Sequence, residues 1–137
     1  MHSLIFPYKL VDRRYIPIIP IILYGSLETK VRTEAYVDSG ATFSIFNIDI
    51  AKSLMLNLKN AREQFFVVGD GSFIPARVIK IPVQVGNEKI ISDIAFSEKL
   101  NIGFNLLGRK GIFEYFDEIA FCEKRKEVIF RWKRNKR

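Results

Sequence analysis

The stretch Ala35-Tyr36-Val37-Asp38-Ser39-Gly40-Ala41-Thr42-Phe43-Ser44 decides how this chain is read. Tyr36 and Val37 suit the end of a covered strand, since aromatic and β-branched side chains fit a pleated, buried surface. Asp38 stands where the chain leaves the core, and an apolar run resumes behind the turn. Gly40 permits a backbone conformation or a close approach that a Cβ would forbid. Asp, Ser and Gly are also common turn residues, so the triplet alone is a weak signal. Its setting strengthens it, because a second segment, Asn105-Leu106-Leu107-Gly108-Arg109, follows downstream.

Immediately upstream, Lys30 to Val37 alternates Val31, Thr33, Ala35 and Val37 against Lys30, Arg32 and Glu34. That is the period of a strand with one wet face, running directly into Asp38. Before it, Tyr15 to Leu23 reads as extended, and its prolines place it at an edge or a bulge. Met1 to Arg14 is mixed and reads as an irregular arm or an outer strand. Downstream, Thr42 to Phe46 is again extended. Asn47 is then an N-cap for a short helix over Ile48 to Leu56, with Asp49 in its first turn. Ile48, Ala51, Leu54, Met55 and Leu58 fall at helical spacing and are expected to face the core.

Two further strands, Arg62 to Val68 and Phe73 to Val85, are joined through Gly69-Asp70-Gly71-Ser72, a strong hairpin signal. Lys89 to Phe96 is another strand, and Gly111 to Phe116 a short helix or turn. Glu118 to Cys122 and Glu127 to Trp132 pair as a last hairpin. Many short strands with one or two short helices indicate a mostly-β closed barrel or sandwich.

Composition narrows the function. At 137 residues the chain is one domain with room for a real core. With 48% apolar residues, twelve of them Phe, it is not disordered. Cys122 is the lone cysteine and His2 the lone histidine. No internal disulfide, Cys/His metal cluster or Ser-His or Cys-His apparatus can therefore be built, and neither metal nor cofactor is expected. The net charge of +7 is located at one end, where residues 124–137 set eight Lys/Arg against Glu127 alone. Such a run is a solvated tail or a contact for RNA, DNA or an acidic membrane. Trp132 among those bases keeps the second option open but could equally pack at the edge of the core. The apolar run from Ile16 to Leu23 is far too short to span a membrane and contains two prolines. The N-terminus lacks the pattern of a secretory signal, so a cytoplasmic address is expected.

Together the segments at Asp38 and Leu106 resemble the retropepsin-like aspartic proteases, the single-domain relatives of the retroviral protease. In that family Asp-Thr/Ser-Gly-Ala carries the catalytic carboxylate, and a later hydrophobic-hydrophobic-Gly segment, often followed by Arg, packs beneath it. The similarity in pattern runs from about Tyr15 to Trp132. It implies a closed β-barrel of the acid-protease type over residues 15–132, with an N-terminal arm (1–14) and a basic C-terminal tail (133–137).

The resemblance also implies an activity. Hydrolysis by carboxylates needs two in one site, and like charges so close share a proton. This chain has one Asp-Ser-Gly; Asp12, Asp49, Asp70, Asp93 and Asp117 lack the following residues. The economical solution is a homodimer that joins two copies of Asp38 and acts on peptide or unfolded protein. Asp38 is then the catalytic acid and base, Ser39 orients it, and Gly40 lets amide groups reach it. Ala41 and Thr42 border the cleft. Gly69, Asp70 and Gly71 form the tip of a flap over the substrate, or else a passive turn, and Phe73 touches substrate or braces the hairpin. Leu106, Leu107, Gly108 and Arg109 support the site from beneath. One departure stands out. Retroviral members carry an acidic residue four after the aspartate that pairs with this arginine, and here that residue is Thr42. Arg109 must find another partner or stay solvated. The alternative from another class is a catalytically silent dimeric binding module that presents its tail to nucleic acid.

Overall fold

The computed structural model describes residues 1–67, 71–98, 100 and 103–134. Gly69 and Asp70 of the expected flap tip, and the last three residues of the tail, lie outside the described residues. The described chain is mostly strand, with one short helix, as the alternating sequence implies.

The strands in chain order are β1 (His2–Pro7), β2 (Lys9–Val11), β3 (Arg14–Ile16), β4 (Ile18–Tyr24), β5 (Lys30–Val37) and β6 (Ser44–Asn47), then β7 (Arg62–Val67), β8 (Phe73–Val85), β9 (Glu88–Ser97), β10 (Asn105–Leu107), β11 (Glu118–Cys122) and β12 (Glu127–Trp132). The main sheet runs β4-β5-β10-β6-β9-β8-β7. β4 also pairs with β8 through Ile22–Gln84 and Leu23–Val83, so the pairings return to their start as a ring, with β7 outside it on β8. A second sheet has the order β1-β12-β11, and β2 with β3 makes a separate ribbon. The first residues therefore form an outer strand, one of the two expectations for them.

The alternation in β5 is real: Ala35 and Val37 are buried while Lys30, Arg32 and Glu34 are exposed. Pro20 is exposed and lies before the two residues at which β4 meets β8, so its missing donor interrupts no ladder on that side. β8 changes its inward face midway. Ile74, Ala76 and Val78 pack with Phe43, Ile45 and Ala95, whereas Ile81, Val83 and Val85 enter the main core. This long strand thus ties the main core to a smaller apolar cluster next to the Asp38 loop. Phe46, Phe96 and Phe130 are fully buried, each worth about 1.5–3 kcal/mol of apolar burial.

The helix, α1, spans Ile48–Ser53, and the Asn47 side chain accepts from the Asp49 amide at 2.9 Å as its N-cap. It is shorter than expected. Leu54 is its C-cap and Met55 takes φ +54, which breaks the helical spacing and turns Met55 outward. Met55 is exposed, not a core residue. Trp132, by contrast, is buried, stacks on His2 at 5.5 Å and meets Phe116 edge-on at 5.3 Å. It belongs to the core and not to a nucleic-acid surface. No helix among the described residues is long and apolar enough to cross a membrane.

Candidate active site

β10 lies parallel to β5, with Leu106 opposite Tyr36 and Leu107 opposite Val37. Asp38 is the first residue beyond β5, and its amide donates to the Leu107 carbonyl at 3.0 Å. The two segments singled out in the sequence are therefore hydrogen-bonded neighbours. The Gly40 amide donates to Asp38 Oδ1 at 2.9 Å, and the Ala41 amide to the Asp38 carbonyl at 3.2 Å. A Cβ on Gly40 would stand 3.2 Å from Asp38 Oδ1. The glycine thus serves close approach to the carboxylate; its φ is not positive.

The loop rests on the chain that follows β10. Arg109 donates its amide to the Ala41 carbonyl at 2.9 Å, and Lys110 to that of Thr42 at 2.7 Å. The guanidinium of Arg109 reaches the Thr42 hydroxyl at 3.4 Å. That contact stands where a salt bridge would be if residue 42 were acidic, and Arg109 is otherwise exposed. Gly108 is buried, and its amide donates to Ser44 Oγ at 3.0 Å. Ser44 was not legible as a site residue. A lone serine in an apolar run gives no sign that it answers an amide brought from sixty residues away.

Asp38, Gly40, Ala41 and Thr42 open onto a cleft of about 930 Å³. Its walls are Tyr36, Phe43, Ile45, Phe104 and Leu106, together with Gln64 to Val67 of β7. The expected flap hairpin therefore borders the same cleft as Asp38, through its first strand. Phe65 and Phe66 are adjacent in a strand and face opposite ways, the second against Phe43 at 4.9 Å between ring centroids. Asp38 is the one carboxylate among the described lining residues. Leu106 lines the cleft, while Leu107 lies in the core beneath. Ser39 is exposed and lines a different, smaller recess. Gly71 is exposed with φ +84, and Phe73 is exposed outside the cleft lining. Among the described residues no His, Cys, Asp and Glu side chains cluster as metal ligands would.

Beside the loop, burial and a hydrogen bond to Glu123 push the Tyr8 phenol above the ordinary tyrosine range. It is a neutral donor there.

The likeness to known proteins is one of fold. The chain is similar to a solved retropepsin-like aspartic protease from Rickettsia conorii, with 16% identity, a TM-score of 0.60, and coverage of 96% of this chain and 90% of that one. Neither a protein-family model nor a curated protein matches its sequence. The mostly-β architecture is that of a retropepsin-like aspartic protease. At this identity the fold is shared, and the activity has to be argued from the site.

Proposed function

We propose that this chain is an aspartic endopeptidase that works as a homodimer, each site combining the Asp38 carboxylates of two chains, with the sheet ring serving as the closed barrel of that fold. The observation that carries this reading is the setting of Asp38. One carboxylate is held by the amide of Gly40 and anchored through its backbone to β10, on a largely apolar cleft of about 930 Å³.

One carboxylate of the pair accepts a proton from water while the other donates to the scissile carbonyl oxygen. The resulting oxygen nucleophile attacks the carbonyl carbon. Proton return to the amide nitrogen then releases the amine and leaves a carboxyl group. The pair holds one proton, because two adjacent anions in a low-dielectric cleft repel. Aromatic walls at Tyr36, Phe43 and Phe104 favour apolar side chains beside the cleaved bond. β7 and the hairpin it begins close over the peptide as a flap.

What weighs against the silent binding module concerns only its nucleic-acid contact. Trp132 is buried, and Arg125 and Arg131 are ion-paired with Glu127 and Glu118. The test is cleavage of an unfolded protein at mildly acidic pH, repeated with Asp38→Asn. Activity abolished by that substitution and by a hydroxyl-containing transition-state mimic supports the reading. Cleavage that survives the substitution refutes it.

A further inference from the structure

The turn that follows β10 is wedged between two parts of the chain. On one side the amides of Arg109 and Lys110 hold the Asp38 loop. On the other the turn lies against β9, where Gly111 comes so near the Ser92 side chain that an added Cβ would collide with it. The next residue of β9 is Asp93, and its Oδ2 lies 3.7 Å from Lys110 Nζ. Its Oδ1 lies 3.8 Å from Nζ of Lys80, the residue opposite it on β8. Only 17% of the Asp93 side chain is exposed, so this carboxylate is largely shielded and set between two ammonium groups.

The same Lys110 Nζ lies over the ring of Phe43, 4.9 Å from its centroid, within reach of a cation–π contact. Phe43 is a wall of the cleft, and its ring meets that of Phe66 on β7. Phe66 lines the cleft too, and packs on the small apolar cluster that holds Ile45 and Ile74. A chain of contacts therefore runs from Asp93 through Lys110 and Phe43 to the first strand of the hairpin. A lysine on an open surface keeps its ammonium in water and samples many rotamers. Here the carboxylate of Asp93 and the backbone bond to Thr42 hold Lys110 over the ring.

We infer that Lys110 is a positioning residue of the cleft: held by Asp93, it fixes the ring of Phe43, and through Phe66 it sets how β7 lies against a bound peptide. The inference rests on the protease reading for the peptide and for closure of the hairpin; the contacts from Asp93 to Phe66 stand without it. Loss of the ammonium loosens the wall and β7 together, in the bound ground state and in the transition state alike. Such a loss weakens binding and leaves the chemical step, which belongs to Asp38, nearly as it was.

The test compares cleavage kinetics of the full wild-type chain with those of Lys110→Met, Lys110→Arg and Lys89→Met. Met keeps the reach of the side chain and removes its charge. Arg keeps the charge, pairs with carboxylates and stacks on aromatic faces. Lys89 lies over Tyr24 at 3.9 Å, and neither residue lines the cleft, so Lys89→Met controls for the loss of a cation–π contact as such. Lys110→Met should raise KM about two- to fivefold and leave kcat within about twofold of wild type. Lys110→Arg should restore KM, and Lys89→Met should leave it unchanged. Asp93→Asn should raise KM as well, yet add nothing to Lys110→Met in the double variant. Hydrogen exchange without substrate gives a second reading, in which Lys110→Met speeds exchange over residues 62–67 and not over 127–132. An unchanged KM, a fall in kcat alone, no rescue by Lys110→Arg, or unchanged exchange over 62–67 overturns the inference. Faster exchange over 62–67 in a chain that cleaves nothing upholds the role of Lys110 and sinks the protease reading. Cleavage that requires Asp38, with KM and exchange both indifferent to Lys110→Met, does the reverse.

Discussion

The peptide group of Phe43 leaves no room for a side chain at Gly108. An added Cβ would stand 2.4 Å from the Phe43 carbonyl oxygen and 2.8 Å from that of Ala41. These are backbone atoms of the strand-and-loop segment that carries the site, so they cannot swing aside as a flexible side chain would. Gly108→Ala should cost about 3 kcal/mol by overpacking, read from the midpoint of urea unfolding. It should also lower cleavage in chains that remain folded, because Ala41 borders the cleft. A variant as stable as the wild type would mean that the two segments are not in contact.

Ser44 tests the same junction from the polar side. Its hydroxyl, fully buried, accepts from the Gly108 amide. Ser44→Ala leaves a buried amide without this partner, a loss of about 1–3 kcal/mol. Ser44→Thr keeps the oxygen but adds a methyl group to a closed space, so it should restore part of the loss and not all of it. Equal stability of Ser44→Ala and wild type would contradict the assignment.

Much of this was legible because it is local. The alternation from Lys30 to Val37, the Asn47 cap and the Glu118–Trp132 hairpin each follow from chemistry within a few residues, and each is found. The pairing of Leu107 with Val37 was legible only as a resemblance, since nothing in either segment names the other. Met55 failed because helical spacing assumes that the helix continues, and a left-handed residue ended it. Ser44, Phe104 and the change of face along β8 depend on which elements meet in space. That information lies in the whole chain and not in any window of it.

Gly71 takes φ +84 with nothing within 4 Å of an added Cβ, so only backbone strain opposes a side chain there. Gly71→Val should therefore cost about 1–2 kcal/mol at most and leave the cores untouched. If the hairpin closes over substrate, turnover should fall well beyond what that loss explains. Compare kcat and melting temperature of the two proteins; an unchanged kcat would make this hairpin a passive turn.

Tyr8 predicts a response to alkali. Burial and the Glu123 hydrogen bond hold its phenol protonated in the folded chain, above its ordinary value of 10.0. In the unfolded chain it ionises near that value. Above about pH 10 the unfolded state thus binds fewer protons, and stability falls as pH rises. Below that pH the contribution is fully present. Tyr8→Phe should flatten this alkaline slope while losing the hydrogen bond at all pH values. Parallel slopes for the two proteins in chemical denaturation would contradict it.

In the dimer proposed above, one working site contains Asp38 from two chains. Mix equal amounts of wild type and Asp38→Asn, allow subunits to exchange, and measure cleavage at a total concentration that keeps the protein dimeric. Asn retains the oxygen that accepts from the Gly40 amide, so the variant should fold and pair as the wild type does. With random pairing about one quarter of the dimers hold two aspartates. The expected rate is near one quarter of that of wild type at the same total concentration. A rate of one half would show that each chain works alone, and would contradict the shared site.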